Sequence, residues 1–176
     1  MNIIITIFLV LIGIIALLLI VALFTRKEYN IQREVTIHAP LQKVFDYLKQ
    51  LKNQDNFNKW VMADPEMKRD FKGTDGTVGF IYAWNGNKKA GEGEQEIKSI
   101  EVGKHIKTEV RFVRPFAGIA QANIFTESIS NNQTKVSWSN VSEMKYPMNI
   151  MVLMVEKMLA KDMDESLTKL KVILEK

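Results

Sequence analysis

PMNIMVLMVEKMLAKDMDESLTKLKVILE, residues 147–175, sets the architecture expected of this chain. It opens almost wholly apolar, with Met148, Ile150, Met151, Val152, Leu153, Met154 and Val155. It then narrows to a stripe of Val155, Leu159, Met163, Leu167, Leu170 and Leu174, while Lys157, Lys161, Asp162, Asp164, Glu165 and Lys169 fill the other positions. Apolar residues recurring every three to four positions share one side of an α-helix. The spacing predicts one amphipathic helix of roughly seven turns. Its apolar face needs a cover, and the strand-rich stretch before it is the candidate.

That stretch reads as alternating strands and turns. Ile31 to Ile37 alternates apolar and polar residues as a strand does, and His38-Ala39-Pro40 stops it. Leu41, Val44, Phe45, Leu48 and Leu51 follow at helical spacing, and Asp55 to Val61 reads as a second short helix. From Met67 the period is two. Strands are expected over Met67 to Lys72, Thr77 to Trp84, Gly91 to Val102, His105 to Val113, Ile119 to Ser130 and Gln133 to Met144. Turns such as Asn85-Gly86 and Gly103-Lys104 separate them. The inward face of Ile119 to Ser130 stays open, because Ile124 and Phe125 compete for it. Short turns make neighbours antiparallel. The expected fold is therefore α+β: a curved antiparallel sheet of about seven strands around the long C-terminal helix.

A different segment precedes this domain. Ile3 to Phe24 is uncharged and almost uniformly aliphatic, broken by Thr6 and Gly13. As a helix it is roughly 33 Å long, enough to cross a bilayer. A cleaved signal peptide fits less well, since only Met1 and Asn2 precede the run and Val21-Ala22-Leu23-Phe24-Thr25 is a poor cleavage site. The reading is an N-terminal transmembrane helix in a membrane anchor with a short linker (residues 1–28), then a domain over 29–176. Arg26, Lys27 and Arg33 follow the span and no basic residue precedes it, so the domain is expected on the cytoplasmic side of a single-pass membrane protein. Thr25 to Asn30 reaches at most about 20 Å, which keeps the domain at the membrane surface.

Composition excludes several chemistries. The absence of cysteine rules out disulfides, thiolate metal sites and a cysteine nucleophile. The net charge of +4 comes from interspersed acids and bases with no basic stripe, so no nucleic-acid partner is expected. His38 and His105 do not fall in a metal-ligand spacing, and no nucleophile elbow or nucleotide loop is present. Glu92, Glu94 and Glu96 share a strand side with Lys98 and read as a solvated face. No catalytic residue, metal site or cofactor is assigned.

On these residues the chain resembles a known superfamily. An early strand runs into Ile37-His38-Ala39-Pro40 and then Val44-Phe45. Gly76-Thr77-Val78-Gly79 leads to Tyr82-Ala83-Trp84-Asn85-Gly86. Gly91-Glu92-Gly93 and Thr134-Lys135-Val136-Ser137-Trp138 follow before the closing helix. Together they are similar to the START-like, or SRPBCC, helix-grip superfamily, which includes the polyketide cyclase/dehydrase and lipid-transport family. The resemblance covers roughly Tyr29 to Lys176. It implies an apolar cavity between sheet and terminal helix that takes lipids, sterols, quinones or polyketides, in proteins of which only some are enzymes. The N-terminal span departs from the usual soluble members.

Two side-chain groups are candidates for lining such a cavity. Six of the nine methionines fall between Met144 and Met163, and thioether chains adapt to varied apolar partners. The aromatic row Phe80, Tyr82 and Trp84, with Phe112 and Trp138, supplies the sheet side. The expected ligand-binding residues are Phe80, Tyr82, Trp84, Phe112, Trp138, Met144, Met151, Met154 and Met158. The reading is a membrane-anchored binder of an apolar small molecule. A cyclase, dehydratase or hydrolase using a cavity Tyr, Glu or His stays open, as does an interaction module at the membrane surface whose groove a partner segment fills.

Overall fold

In the computed structural model, which describes residues 3–176, all the strands but one lie close to where their alternation places them. β1 (Glu28–Ile37) pairs with β7 (Gln133–Glu143), and β7 pairs on its other side with β6 (Gly118–Ser130). The sheet continues through β5 (His105–Arg114), β4 (Glu92–Glu101) and β3 (Ile81–Asn85) to β2 (Lys68–Lys72). All neighbours are antiparallel, in the order β1-β7-β6-β5-β4-β3-β2. The seven strands curve around the long C-terminal helix, α3 (Val152–Leu174), as expected for the helix-grip architecture. Two further helices are α1 (Ile3–Phe24) and α2 (Leu41–Lys49).

The lower half of α3 is ordinary core. Met163, Leu167, Leu170 and Leu174 are buried in one cluster with Ile37, Val44, Phe45, Leu48 and Val136. Each such side chain contributes roughly 1.5–3 kcal/mol by leaving water. Lys43 Nζ donates to the Leu174 carbonyl at 2.7 Å, and the His38 backbone N–H donates to Glu175 at 2.7 Å. These bonds fasten the end of α3 to the start of α2. On the opposite sheet face, Arg111 ion-pairs with Glu94 and Glu96 at 2.7 and 2.8 Å.

Three local expectations change. Asp55 to Val61 is not a helix; 3-10 turns at Leu51–Asn56 and Val61–Ala63 flank an irregular stretch. Asn58 Oδ1 accepts the Trp60 backbone N–H at 3.0 Å, and this local bond competes with a helical one. The strand expected from Thr77 begins only at Ile81, because Gly76 and Gly79 hold positive φ of 78° and 86°. That turn leaves Val78 exposed and tucks Phe80 into the main core, stacked on Phe71. On β6 the inward face is settled: Ala120, Ala122, Ile124 and Thr126 point in, and Phe125 points out.

α1 is long and apolar enough to cross a membrane. Its end is tied to the domain. Asn149 is fully buried in a 3-10 turn (Met148–Met151) before α3. Its Nδ2 donates to the Ala22 carbonyl at 2.7 Å and the Thr25 carbonyl at 2.8 Å. A helix C-terminus leaves carbonyls without intrahelical partners, and Asn149 takes up two at this junction. Arg26 pairs with Glu156, and the Met144 N–H donates to the Lys27 carbonyl at 2.8 Å.

Candidate functional site: an aromatic cavity

α3 packs along β1, at the edge of the curved sheet, and a space remains opposite the middle strands. The reason lies in side-chain size. β4 contributes Gly93, and β6 contributes Ala120 and Ala122 to its inward face. Of these, Ala122 lines the gap between the main core and a small separate cluster of Val110, Ala120 and Ala122, while the room over Gly93 is taken by the Trp84 ring. The result is a cavity of about 240 Å³.

Its sheet wall is built by Tyr29, Tyr82, Trp84, Gln95, Val110, Phe112, Ala122, Trp138 and Asn140. Leu159 closes the α3 side, and Trp60, Val61 and Met67 form the cover. All three tryptophans of the chain therefore line one space. Trp60 meets Trp138 edge-on with ring centroids 5.7 Å apart, and Trp84 meets Phe112 edge-on at 6.2 Å. The Trp60 indole N–H donates to Asp162 at 3.0 Å, and that of Trp84 donates to the Ala90 carbonyl at 3.1 Å. With those donors engaged, the two rings offer the cavity carbon surface. Gly93 seats the Trp84 ring: a Cβ there would lie 2.8 Å from Trp84 Cζ2 and 2.6 Å from the Arg111 carbonyl oxygen.

The polar part of the wall is a chain of carboxamides. Asn58 Nδ2 donates to Gln54 Oε1 at 2.8 Å, Gln54 Nε2 to Gln95 Oε1 at 3.0 Å, and Gln95 Nε2 to Thr108 Oγ1 at 2.8 Å. The Thr108 hydroxyl in turn donates to the Ala122 carbonyl. Asn140 stands apart. It is 7% exposed, lines the cavity, and its Oδ1 has no hydrogen-bond partner among the described residues. A buried acceptor left unmade costs about 1–3 kcal/mol, so this atom favours an occupant with a donor.

Ionisable groups at the cavity are few. Tyr82 presents its ring to the space while its hydroxyl donates to Asp55 at 2.6 Å and accepts from Arg69 at 3.0 Å. Burial first, and then the Asp55 carboxylate, hold that hydroxyl well above the usual phenol range. No carboxylate or imidazole belongs to the described lining, and no cluster of described residues has the donor set for a metal ion.

The exposed lining residues, Lys89, Phe112, Arg114 and Pro115, mark the mouth. They sit at the β3–β4 and β5–β6 turns. Arg114 holds these turns together through Glu92 and Asn85, both at 2.7 Å. Strand register puts that end beside the start of β1 and the end of β7, since Ser142 lies opposite both Tyr29 and Ala120. The mouth therefore opens at the end of the sheet where α1 enters.

Of the expected ligand-binding residues, the structure brings Tyr82, Trp84, Phe112 and Trp138 together on the cavity wall. Phe80 is in the main core, and Met144 is half-buried against it at the end of β7. Met151 is half-buried in the turn before α3, outside the cavity lining. Met154 and Met158 are 59% and 55% exposed. The helix period explains this. Val152 is buried, and Met154 lies two residues on, a rotation of roughly 200° that carries it and Met158 to the far side. The lining residues not anticipated from sequence are mainly Trp60, Gln54, Asn58, Gln95, Ala122 and Asn140. Two had a legible signal: Asn140 is in phase with Val136 and Trp138, and Gln95 with Ile97.

Comparison with solved structures places the fold among known ones. Norcoclaurine synthase from Thalictrum flavum, solved with dopamine and hydroxybenzaldehyde, superposes with a TM-score of 0.64 at 13% identity, over 89% of this chain and 92% of that one. A protein from Chromobacterium violaceum gives 0.60 at 13% identity, over 84% and 97%. XoxI from Bacillus cereus gives 0.61 at 11%, over 82% and 94%. No curated protein matches the chain. The family model described as polyketide cyclase / dehydrase and lipid transport matches residues 29–175, a span that holds all seven strands but for Glu28 and the whole of α3, and the chain belongs to that family.

Proposed function

We propose that residues 29–176 form a domain that binds a compact apolar molecule carrying a hydrogen-bond donor, and that residues 3–24 hold this domain at a membrane. Family membership supports ligand binding in general. The observation that carries the finer reading is the cavity itself: three indoles around an unfilled space, with one buried acceptor, Asn140 Oδ1, unpaired. Its volume of about 240 Å³ lies just below the range of roughly 300–1,000 Å³ that holds drug-sized ligands. A single ring or a short acyl chain fits that size, and a whole phospholipid does not. Each buried methylene contributes about 0.8 kcal/mol, so binding needs little polar machinery.

A cyclase or dehydratase would need a group that moves protons at the cavity. The lining offers the hydroxyls of Tyr29 and Tyr82 and, at the exposed mouth, the Lys89 amine; the Tyr82 hydroxyl is engaged by Asp55 and Arg69, and no carboxylate or imidazole stands beside the others in the described lining. Binding is thus the better-supported reading. Arg26 and Lys27, next to the end of α1, favour a cytoplasmic domain.

The test is mass spectrometry of molecules extracted from the purified full chain, paired with tryptophan emission during titration with single-ring and short-chain alcohols. A copurifying lipophile, or a saturable change in emission, is expected. The reading fails if nothing copurifies and none of these probes changes the emission.

A further inference from the structure

The first turns of α3 carry apolar side chains that the cavity does not use. Leu153, Met154 and Met158 are exposed, and Met148 is partly so in the preceding turn. A solvated helix face normally carries charge, as this one does from Lys157 and Lys161 onward. The bare segment adjoins the point where α1 joins the domain, since the Met148–Met151 turn supplies the Asn149 bonds to Ala22 and Thr25.

A second apolar element lies at the same end. The β5–β6 turn exposes Val113, Phe116 and Ile119. Ser142 Oγ donates to the Ile119 carbonyl at 2.6 Å, and Tyr29 lies opposite the same Ser142. Exposed Tyr146, between β7 and the Met148–Met151 turn, adds an aromatic ring, and ring-and-hydroxyl side chains suit a water–lipid boundary. Lys27, Lys145 and Lys157 are exposed nearby; the acids of this end are Glu28 and Glu143, with Glu156 half-buried and paired with Arg26, and Glu92 paired with Arg114.

From this juxtaposition we infer that the anchor end of the domain docks on the bilayer surface, with Leu153, Met154 and Met158 of α3 and Phe116 of the β5–β6 turn immersed in the interfacial layer. The inference rests on the reading that residues 3–24 span the membrane. Continuity with that span identifies the occupant. α1 becomes β1 through only Thr25, Arg26 and Lys27, and Asn149 fixes the junction, so the lipid surface that receives Phe24 lies against the same end. Leu153, Met154 and Met158 fall within about 140° of the helix circumference, the one-sided arrangement by which interfacial helices bury an apolar face. The lysines can keep their ammonium groups at the headgroups while their stems lie along the apolar layer. Docked this way, the cavity mouth at Arg114 and Pro115 faces the leaflet.

The chain lacks cysteine, so single labelled sites test this directly. Met154→Cys, Phe116→Cys, Val172→Cys and Ile14→Cys are each made in the full chain, labelled with a polarity-sensitive fluorophore, and reconstituted into phosphatidylcholine vesicles. Leu153→Cys serves as a second α3 site, and far-UV circular dichroism confirms the fold of each. Labels at 154 and 116 are expected to shift to the blue and lose emission to a nitroxide carried shallow on the lipid chains. The label at 172, exposed on the last turns of α3, is expected to respond only to an aqueous quencher, and that at 14 to a deep nitroxide. If 14 is quenched in the lipid while 154 and 116 behave like 172, the docking inference is overturned and the membrane span stands. Labels at 154 and 116 sheltered from water but untouched by lipid nitroxides overturn it too, in favour of contact with a second copy of the chain. Failure to quench the label at 14 overturns the span and the docking together.

Discussion

Ala122 is the residue at which cavity and fold can be separated. It is 6% exposed on the inward face of β6, between Thr108 on β5 and Asn140 on β7, and its methyl group faces the space. Ala122→Phe places a ring there. Apolar contact is worth about 24 cal/mol per Å³ of cavity, so an occupant that fills the 240 Å³ gains at most about 6 kcal/mol. A phenyl ring that takes half the space removes about 3 kcal/mol of this, equal to four methylenes at about 0.8 kcal/mol each. The expected loss of affinity is about a hundredfold or more, since about 1.4 kcal/mol is tenfold. Folding should change little: burying the ring gains about 1.5–3 kcal/mol, and overpacking costs about 1–3 kcal/mol.

The assay follows from the cavity wall. Because all three tryptophans line it, their emission reports occupancy without a label. At about 30 Å³ per water-sized group, the space holds about eight such groups, so a straight-chain alcohol of about eight carbons is the probe. Its hydroxyl can donate to Asn140. Full chain and variant are titrated under identical conditions, with far-UV circular dichroism to check folding. If the folded variant binds the alcohol as tightly as the unaltered chain, with the same emission change, the occupant is not in this cavity and the reasoning fails.

Three further outcomes are expected. Gly93→Ala drives a methyl group against the Arg111 carbonyl oxygen and the Trp84 ring; a loss of about 1–3 kcal/mol in chemical unfolding, with a shifted tryptophan emission, is the expected result. Tyr82→Phe deprives Asp55 of a donor and Arg69 of an acceptor; it should cost about 1 kcal/mol, a fall in Tm of about 2–4 °C, while alcohol affinity is unchanged because that hydroxyl points away from the space. Acid should also weaken the fold. The hydrogen bond from Lys135, then those from Ser137 and Gln32, lower the Glu34 carboxyl to about 2, and the His38 backbone N–H lowers that of Glu175. Because the folded values are depressed, their contribution is complete above the unfolded value of about 4.3 and is lost as pH falls through the folded value. Tm should therefore hold between about pH 7 and 5 and fall between about 4.5 and 2, with a shallower fall in Glu34→Gln.

How far the residues disclosed this molecule depends on what kind of information each element carries. The order of strands and the closing helix were legible because period and turn chemistry are local. Leu159 to Leu174 repeats at helical spacing, and Asn85-Gly86 stands between two alternating runs. Val78 shows where local reading stops. It continues the alternation of Phe80, Tyr82 and Trp84, but positive φ at Gly76 and Gly79 turns the chain before the strand starts. The aromatic part of the cavity was readable as a row on one strand. The space itself was not, because it depends on what Ala122 lacks, and a missing side chain has no pattern of its own. The methionines of α3 carried a real signal of unusual apolarity, but composition does not give the rotation of a helix. That rotation is set by burial of Val152 and by the Asn149 bonds to a segment more than 120 residues away.

The same Asn149 junction bears on how a ligand would be counted. With three residues between α1 and β1 and two hydrogen bonds across the joint, the connection acts as a bracket rather than a tether. A carrier on a tether samples the aqueous volume, and its occupancy follows molar concentration there. If residues 3–24 span a membrane as proposed, a domain on a bracket exchanges with the film beside it. Its occupancy then follows the mole fraction of the ligand in one leaflet, so a sparingly soluble molecule could saturate it while remaining almost absent from water.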